Sequence, residues 1–186
     1  MAKKKYRIAV SGAAEIKHCC PEIEKLAKKI GKEIARQGCI LVTGATTGVP
    51  YLVAKAADPD CTSIGFSPAA SELAHKKSYR LPTDAFDVMV YTGFDYAGRN
   101  LLMTRAADGV IIICGRMGTL NEFTIAFEDQ KPIGVLEGSG GTADIIRDLT
   151  KFPHRRGKFP LIFDKDPERL VRKLIKLIDN SKRSKK

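Results

Sequence analysis

The stretch CGRMGTLNEF, Cys114 to Phe123, puts Gly115, Gly118, Thr119 and Glu122 directly behind the apolar run VIIIC. Glycines where a chain leaves a buried strand let the backbone come close to a ligand, and a helix that follows offers free N–H groups and a partial positive charge. Phosphate is the natural guest of such a turn, with Arg116 and Met117 lying between its glycines. Glu122 has two readings. Thr119-Leu120-Asn121-Glu122 matches a capping box, in which the carboxylate ties back to the start of its own helix. A carboxylate beside a phosphate cradle can instead face a ribose or an anomeric carbon.

Two other turns have the same character. One is Ser11-Gly12-Ala13-Ala14 after RIAVS; the other is Thr43-Gly44-Ala45-Thr46-Thr47-Gly48 after ILV. Singly, each is an ordinary tight turn between strand and helix. Three at one sheet edge make a phosphate-binding rim, with Ser11, Gly12, Thr43, Gly44, Gly48, Gly115, Arg116, Met117, Gly118 and Thr119 as its candidate residues. None is G-x-G-x-x-G or a Walker loop, which disfavours both the usual dinucleotide site and NTP hydrolysis. Arg99, in GRNLLMTRAAD, opens the helix before the strand that leads to Gly115. A cation is disfavoured at a helix start, so a ligand contact, such as a bidentate clamp on phosphate, is the better reading.

These residues need a scaffold that brings strand exits together. Short apolar runs alternate with amphipathic stretches, the pattern of βαβ units around a parallel sheet. Strands are expected at Arg7–Ser11, Ile40–Thr43, Thr62–Phe66, Asp87–Tyr91, Val110–Cys114, Ile133–Leu136 and Pro160–Phe163. Ile23, Leu26, Ala27, Ile30 and Ile34 recur at helical spacing, with Gly38 placed as a C-cap. A last helix starts at Pro167, stacks Leu170, Leu174, Leu177 and Ile178, and ends near Asn180. The fold class is therefore α/β: a Rossmann-like three-layer α/β/α arrangement with a central parallel sheet of about seven strands. Residues 1–186 read as a single nucleotide-binding domain with basic tails at about 1–5 and 181–186.

Bulk composition agrees with one ordinary domain: 186 residues, 44% hydrophobic and 28% charged. No run approaches the ~20 apolar residues of a membrane helix, and MAKKKYRIAVSG lacks the apolar stretch of a signal peptide, so a cytoplasmic location is expected. The formal charge is +11, but Lys3, Lys4, Lys5, Lys182, Arg183, Lys185 and Lys186 carry seven of it, leaving +4 on the body. A charge held in tails disfavours a dedicated nucleic-acid surface, the one internal basic cluster being KFPHRRGKFP. Five cysteines, Cys19, Cys20, Cys39, Cys61 and Cys114, are an odd number without a C-x-x-C pair. They are expected to be reduced and buried. His18-Cys19-Cys20 lacks a second ligand cluster, so no metal is expected.

RNLLMTRAADGVIIICGRMGTLNEF resembles the Lonely Guy-type family, whose hallmark is P-G-G-x-G-T-x-x-E after a buried strand, preceded by a helix bearing an arginine and ending in S/A-D. The wider superfamily includes the molybdenum-cofactor carrier proteins. Arg99, Asp108, Gly115, Gly118, Thr119 and Glu122 match in order, and the likeness extends through VTGATTGVPYLVAKAA and RIAVSG, over most of residues 6–137. It implies a Rossmann-like homodimer or higher homo-oligomer. In the family's active members it implies hydrolysis of the N-glycosidic bond of a nucleoside 5′-monophosphate, giving free base and ribose 5-phosphate without metal or redox cofactor. By position Arg99 and Glu122 would be the catalytic pair, while Gly115, Gly118 and Thr119 would hold phosphate. A carboxylate there suits an oxocarbenium-like transition state. Cys114 replaces the family proline, Arg116 the second glycine and Ala45 another glycine, and Pro50 stands where a bulky apolar residue is usual. The expected activity is thus hydrolysis of a purine nucleoside monophosphate, the alternative a nucleotide or molybdenum-cofactor carrier that keeps the cradle without turnover.

Overall fold

The computed structural model describes residues 5–151 and 159–183. Residues 1–4 and 184–186 of the basic tails, and residues 152–158 of the basic segment, lie outside that range. In chain order the elements are β1 (Arg7–Gly12), α1 (Ile23–Arg36), β2 (Ile40–Thr43), α2 (Val49–Ala57), β3 (Ser63–Ser67), α3 (Glu72–Lys77) and β4 (Val88–Tyr91). They continue with α4 (Asp95–Ala106), β5 (Gly109–Ile113), α5 (Met117–Glu128), β6 (Ile133–Leu136), α6 (Gly141–Leu149), β7 (Leu161–Asp164) and α7 (Pro167–Arg183). Every strand lies within one residue of its expected bounds. The last helix outruns its expected end near Asn180 to reach Arg183, because Lys182 is held against Asp108 and the ring of Tyr6.

The seven strands form one all-parallel sheet in the order β4-β3-β2-β1-β5-β6-β7. Side chains along each inner strand point alternately to the two faces. Ile8, Val10, Leu41, Ile111, Ile113 and Leu136 join a core beneath α1, α2 and α7. Ala9, Val42, Val110, Ile112, Ile133 and Val135 join a second core with Met103 of α4, Phe123 of α5 and Ile146 of α6. Burial on both faces explains why these strands read as unbroken apolar runs. The architecture is the expected Rossmann-like three-layer fold.

α1 shows how the sequence sets such an element. Ile23, Ala27, Ile30 and Ile34 are its buried stripe. Beyond its C-cap residue Gln37, Gly38 takes a left-handed φ of 64°. The Gly38 and Cys39 N–H groups then close on the carbonyls of Ala35 (2.8 Å) and Ile34 (3.2 Å). This is the pairing of a Schellman motif, which glycine enters without the Cβ penalty. The helix is thereby stopped in time for β2 to begin. No helix among the described residues is long and apolar enough to cross a membrane.

Candidate functional site

β1 lies between β2 and β5, so the chain builds the sheet outward from it in both directions. The crevice at the carboxyl ends beside such a strand is where open α/β sheets bind ligands. A cavity of about 530 Å³ occupies that position, within the range of about 300–1,000 Å³ usual for small-molecule sites. Ser11, Gly12, Gly44, Arg99, Arg116, Gly118, Thr119 and Glu122 all line it. The other four expected residues do not. The Thr43 hydroxyl turns back to accept the Ala45 N–H at 3.2 Å. Gly48 abuts the Ala13 and Ala14 carbonyls, Gly115 is covered by the Thr119 side chain, and Met117 points outward, 74% exposed.

Glu122 forms the rear wall and is 6% exposed. Its Oε1 accepts from Nη1 of Arg99 at 3.3 Å, and its Oε2 accepts from the Ser11 hydroxyl. The Asn100 amide faces the same Oε1 at 2.9 Å; with its nitrogen on that side it donates to Glu122 and, at 2.8 Å, to the Tyr96 carbonyl. The capping-box reading therefore does not hold: Arg116, not Thr119, is the N-cap of α5, and Glu122 reaches across to β1 and α4. Burial pushes its carboxyl upward against the opposing pull of Arg99 and Ser11. Burial also works against the Arg99 charge, but the guanidinium stays ionised, supported by Glu122. Nε of Arg99 is buried and, among the described residues, has no hydrogen-bond partner.

The glycines divide by what surrounds them. A Cβ on Gly44 would stand 1.7 Å from Nη1 of Arg99, so this glycine makes room for the guanidinium. A Cβ on Gly12 would meet Val49 at 2.6 Å, which makes it a packing glycine. At Gly118 a Cβ would meet nothing within 4 Å, so this position in the first turn of α5 opens onto the cavity. Among the described residues no side chain caps α5, which leaves its first N–H groups available to an anion. Arg116, where the Lonely Guy-type motif has glycine, takes φ −129°, extended backbone that any residue accepts. The left-handed conformations fall instead on Cys114 (φ 51°) and Gly115 (φ 104°), and on Ala45 (φ 51°). The Arg116 guanidinium leans over the rim to Glu15, Nη1 to Oε2 3.1 Å.

Sequence reasoning missed several residues of the pocket. Tyr96 stands at the mouth, 49% exposed, with its ring edge against Tyr79 at a centroid distance of 5.7 Å. Leu81 and Pro50 add apolar surface, and Asn100 and Glu15 add polar groups. Tyr96 and Asn100 flank Arg99 on one helix, and that adjacency is the only signal the chain carries for them. Glu137, which follows β6, and Asp164, which ends β7, lie outside this lining. Glu137 binds Arg147, and Asp164 binds Arg169 and Lys173. Asp108 precedes β5 at the opposite sheet edge, where the Arg7 side chain and backbone and Lys182 hold its carboxyl well below the usual carboxylate range, against the cost of burial.

One expectation about the cysteines is overturned. Cys19 and Cys114 are joined in a disulfide across 95 residues; Cys20, Cys39 and Cys61 are free. The reason is topological: the loop after β1 folds over the turn after β5, and Cys19 pairs with Gly140 in an isolated β-bridge beside it. The local segment His18-Cys19-Cys20 gave no sign of a partner because the partner comes from another strand exit. His18, Cys19 and Cys114 are the group of metal-type ligand atoms found among the described residues, all within 4.8 Å of one another. With the two sulfurs bonded to each other, neither is a thiolate ligand.

Known proteins place this geometry in context. The profile of the SLOG cluster4 family matches residues 5–171. A protein of Archaeoglobus fulgidus, described as uncharacterized, is 30% identical over 134 residues, 72% of this chain and 82% of its own. The structure of the molybdenum cofactor binding protein from the phototrophic bacterium Rippkaea orientalis is similar at a TM-score of 0.75 and 27% identity, covering 96% of this chain and 99% of that one. The molybdenum cofactor carrier protein of Chlamydomonas reinhardtii shares the fold at a TM-score of 0.76 and 23% identity, covering 95% and 99% of the two chains. With a family match spanning nearly the whole chain and a sheet switch point that gathers Ser11, Arg99 and Glu122, the chain belongs to the SLOG cluster4 family, in the Rossmann-like superfamily of Lonely Guy-type proteins and molybdenum-cofactor carriers.

Proposed function

We propose that the cavity beside β1 binds a phosphate-bearing small molecule with a planar heterocycle, of the nucleotide or pterin type, and holds it without cleaving it. The observation that carries this reading is the state of Glu122. A hydrolase needs a carboxylate free to face the anomeric carbon or the attacking water. Here Oε2 is taken by Ser11, Oε1 by Arg99 and Asn100, and the group is 6% exposed. In that state Glu122 acts as a structural counter-ion that keeps Arg99 buried and the rear wall rigid. The phosphate goes to the uncapped start of α5 beside Gly118, Thr119 and Arg116. The heterocycle goes to the face of Tyr96 with Leu81 and Pro50. The relatives named for binding or carrying molybdenum cofactor, itself a phosphate-bearing pterin, support the same assignment for this chain.

Hydrolysis of a purine nucleoside 5′-monophosphate is the second reading. It is favoured by the Arg99–Glu122 pair standing in the position expected for the Lonely Guy-type motif and by burial, which raises the Glu122 carboxyl towards the range of a proton donor. Titration calorimetry and chromatography decide between the two. The protein is mixed with AMP, GMP, IMP, CMP, UMP and ribose 5-phosphate, and heat and free base are measured. Stoichiometric binding that requires the phosphate, with no base released over hours, is the expected result. Base release that disappears in Glu122→Ala would establish the enzyme instead, and absence of binding by every phosphate compound would remove both readings.

A further inference from the structure

The Cys19–Cys114 bond belongs to neither reading, yet it sits at the base of the rim. Cys114 is fully buried and immediately precedes Gly115. Its N–H donates to the Ser139 hydroxyl at 2.8 Å, and its carbonyl accepts from Ala143 N–H at 3.1 Å. The turn after β5 is therefore held from beneath by the β6–α6 loop. The loop after β1, which carries Ala13, Ala14 and Glu15 into the cavity wall, reaches that turn through few contacts. Apart from the disulfide these are His18 Nε2 to the Gly115 carbonyl at 3.3 Å and Glu15 to Arg116 at 3.1 Å. Both use exposed side chains, and exposed contacts of this kind contribute little. The β1–α1 loop is also tied to the β6–α6 loop, by the Cys20 N–H to the Ser139 carbonyl at 3.1 Å and by the Cys19–Gly140 bridge. Among the described residues the covalent bond is thus the strongest direct link to the turn after β5 and not the loop's sole anchor.

The two sulfurs are also unequally placed. Cys19 is half-buried and lines a shallow surface hollow with Ile16, Lys17, Cys20 and Pro21, whereas Cys114 is enclosed. Nε2 of His18 lies 3.6 Å from Sγ of Cys114, on an exposed side chain.

We propose that Cys19–Cys114 is a redox-active thiol–disulfide exchange site, opened by a thiol reductant, and that its opening frees the β1–α1 loop from its covalent tie to the turn that forms the anion cradle. The thiolate of one reductant molecule attacks Sγ of Cys19 from the hollow. The S–S bond breaks with its electron pair on Cys114, whose thiolate, beside the His18 imidazole, takes a proton from solvent. The thiolate of a second reductant molecule attacks the reductant's sulfur in the mixed disulfide, and Cys19 leaves as a thiolate that takes a proton from solvent. The protein disulfide is reduced to two thiols, and two reductant thiols are oxidised to a disulfide.

The experiment uses the full chain equilibrated in glutathione buffers from reducing to oxidising, then acid-quenched, unfolded and alkylated with a maleimide polymer. Five adducts in excess reduced glutathione and three in the oxidised buffer are expected, with native circular dichroism in both. Three adducts that persist in excess reduced glutathione until the protein unfolds would show a purely structural bond and overturn the proposal. Hydrogen exchange supplies the second readout, independent of any ligand. Amides of residues 13–22 and 115–119 should exchange about tenfold faster after reduction, with the sheet unchanged. Replacing Cys114 risks the buried turn, so the variant is Cys19→Ser. It should show the faster exchange in every buffer, and exchange equal to that of the oxidised protein would overturn the tethering role.

Discussion

Nη1 of Arg99 stands 3.3 Å from Oε1 of Glu122, and the guanidinium reaches that position only by passing over Gly44. A Cβ on Gly44 would lie 1.7 Å from the same nitrogen, inside any permitted contact. Gly44→Ala must therefore expel the guanidinium, leaving a buried carboxylate that has lost its cation. Removing one member of a buried ion pair costs about 3–5 kcal/mol. Denaturant unfolding should show a loss of that size, and Gly44→Ala combined with Glu122→Gln should recover part of it. Without that recovery, the strain would lie in the β2 turn itself and not in the ion pair.

Gly118 gives the opposite forecast. It occupies the first turn of α5, and a Cβ there meets nothing within 4 Å. Alanine is the better helix former, so Gly118→Ala should leave stability unchanged or raise it by about 0.5 kcal/mol. The added methyl projects into the space assigned to the phosphate, and affinity should fall by at least about tenfold, or 1.4 kcal/mol. Parallel melting and titration curves test both halves. A variant that is both stabilised and fully competent to bind would move the phosphate away from α5.

Asp108 makes a pH-dependent contribution at the far edge of the sheet. Its carboxylate accepts from the Arg7 backbone N–H at 2.9 Å, from the Arg7 side chain at 3.2 Å and from Lys182 at 2.9 Å. These bonds hold it well below the usual carboxylate range in the folded state. The unfolded chain binds that proton more readily, so the stabilisation is complete above the ordinary aspartate pKa of about 4 and fades as pH falls towards the folded value. Asp108→Asn should cost about 1–3 kcal/mol near neutrality, the worth of charged hydrogen bonds. The gap between wild type and variant in urea unfolding should narrow between about pH 5 and about pH 2. A gap that is constant with pH would assign Asp108 a packing role.

The sheet was legible because its strands are buried on both faces. Ile8 and Val10 feed one core and Ala9 the other, so the run RIAV could only be a covered strand. Arg99 is expected at a helix start, but α4 begins at Asp95 and Arg99 sits in its second turn, so the helix dipole does not explain it; its place in the site comes from the cavity it lines and from Glu122. Glu122 was ambiguous because a capping box and a cross-strand carboxylate share one spacing; only the position of Ser11 over α5 separates them. Gly44 and Gly118 look alike in a sequence, yet one makes room for an arginine and the other opens onto the cavity. The sequence around Cys114 carries no sign of its disulfide, because connectivity depends on which loops meet, and Cys19 meets it from 95 residues away.

Arg116 isolates the electrostatic part of the binding proposal. Its guanidinium pairs with Glu15 at 3.1 Å, and the two side chains are 56% and 73% exposed. An exposed pair contributes at most about 1 kcal/mol to folding, so Arg116→Ala and Glu15→Gln should both unfold within about 0.5 kcal/mol of wild type. Their effects on ligand binding should diverge. Loss of Arg116 removes a charge-assisted contact worth about 1.5–3 kcal/mol, weakening a nucleoside monophosphate by roughly 10- to 100-fold. Loss of the Glu15 charge frees the guanidinium and removes a repulsion, so affinity should rise. Because the rim is solvated, wild-type affinity should fall with added salt, and the Arg116→Ala curve should be flatter. Titrations of AMP against all three proteins at low and high ionic strength measure this directly. If Arg116→Ala binds as tightly as wild type at low salt, the phosphate does not sit at the α5 end of the cavity.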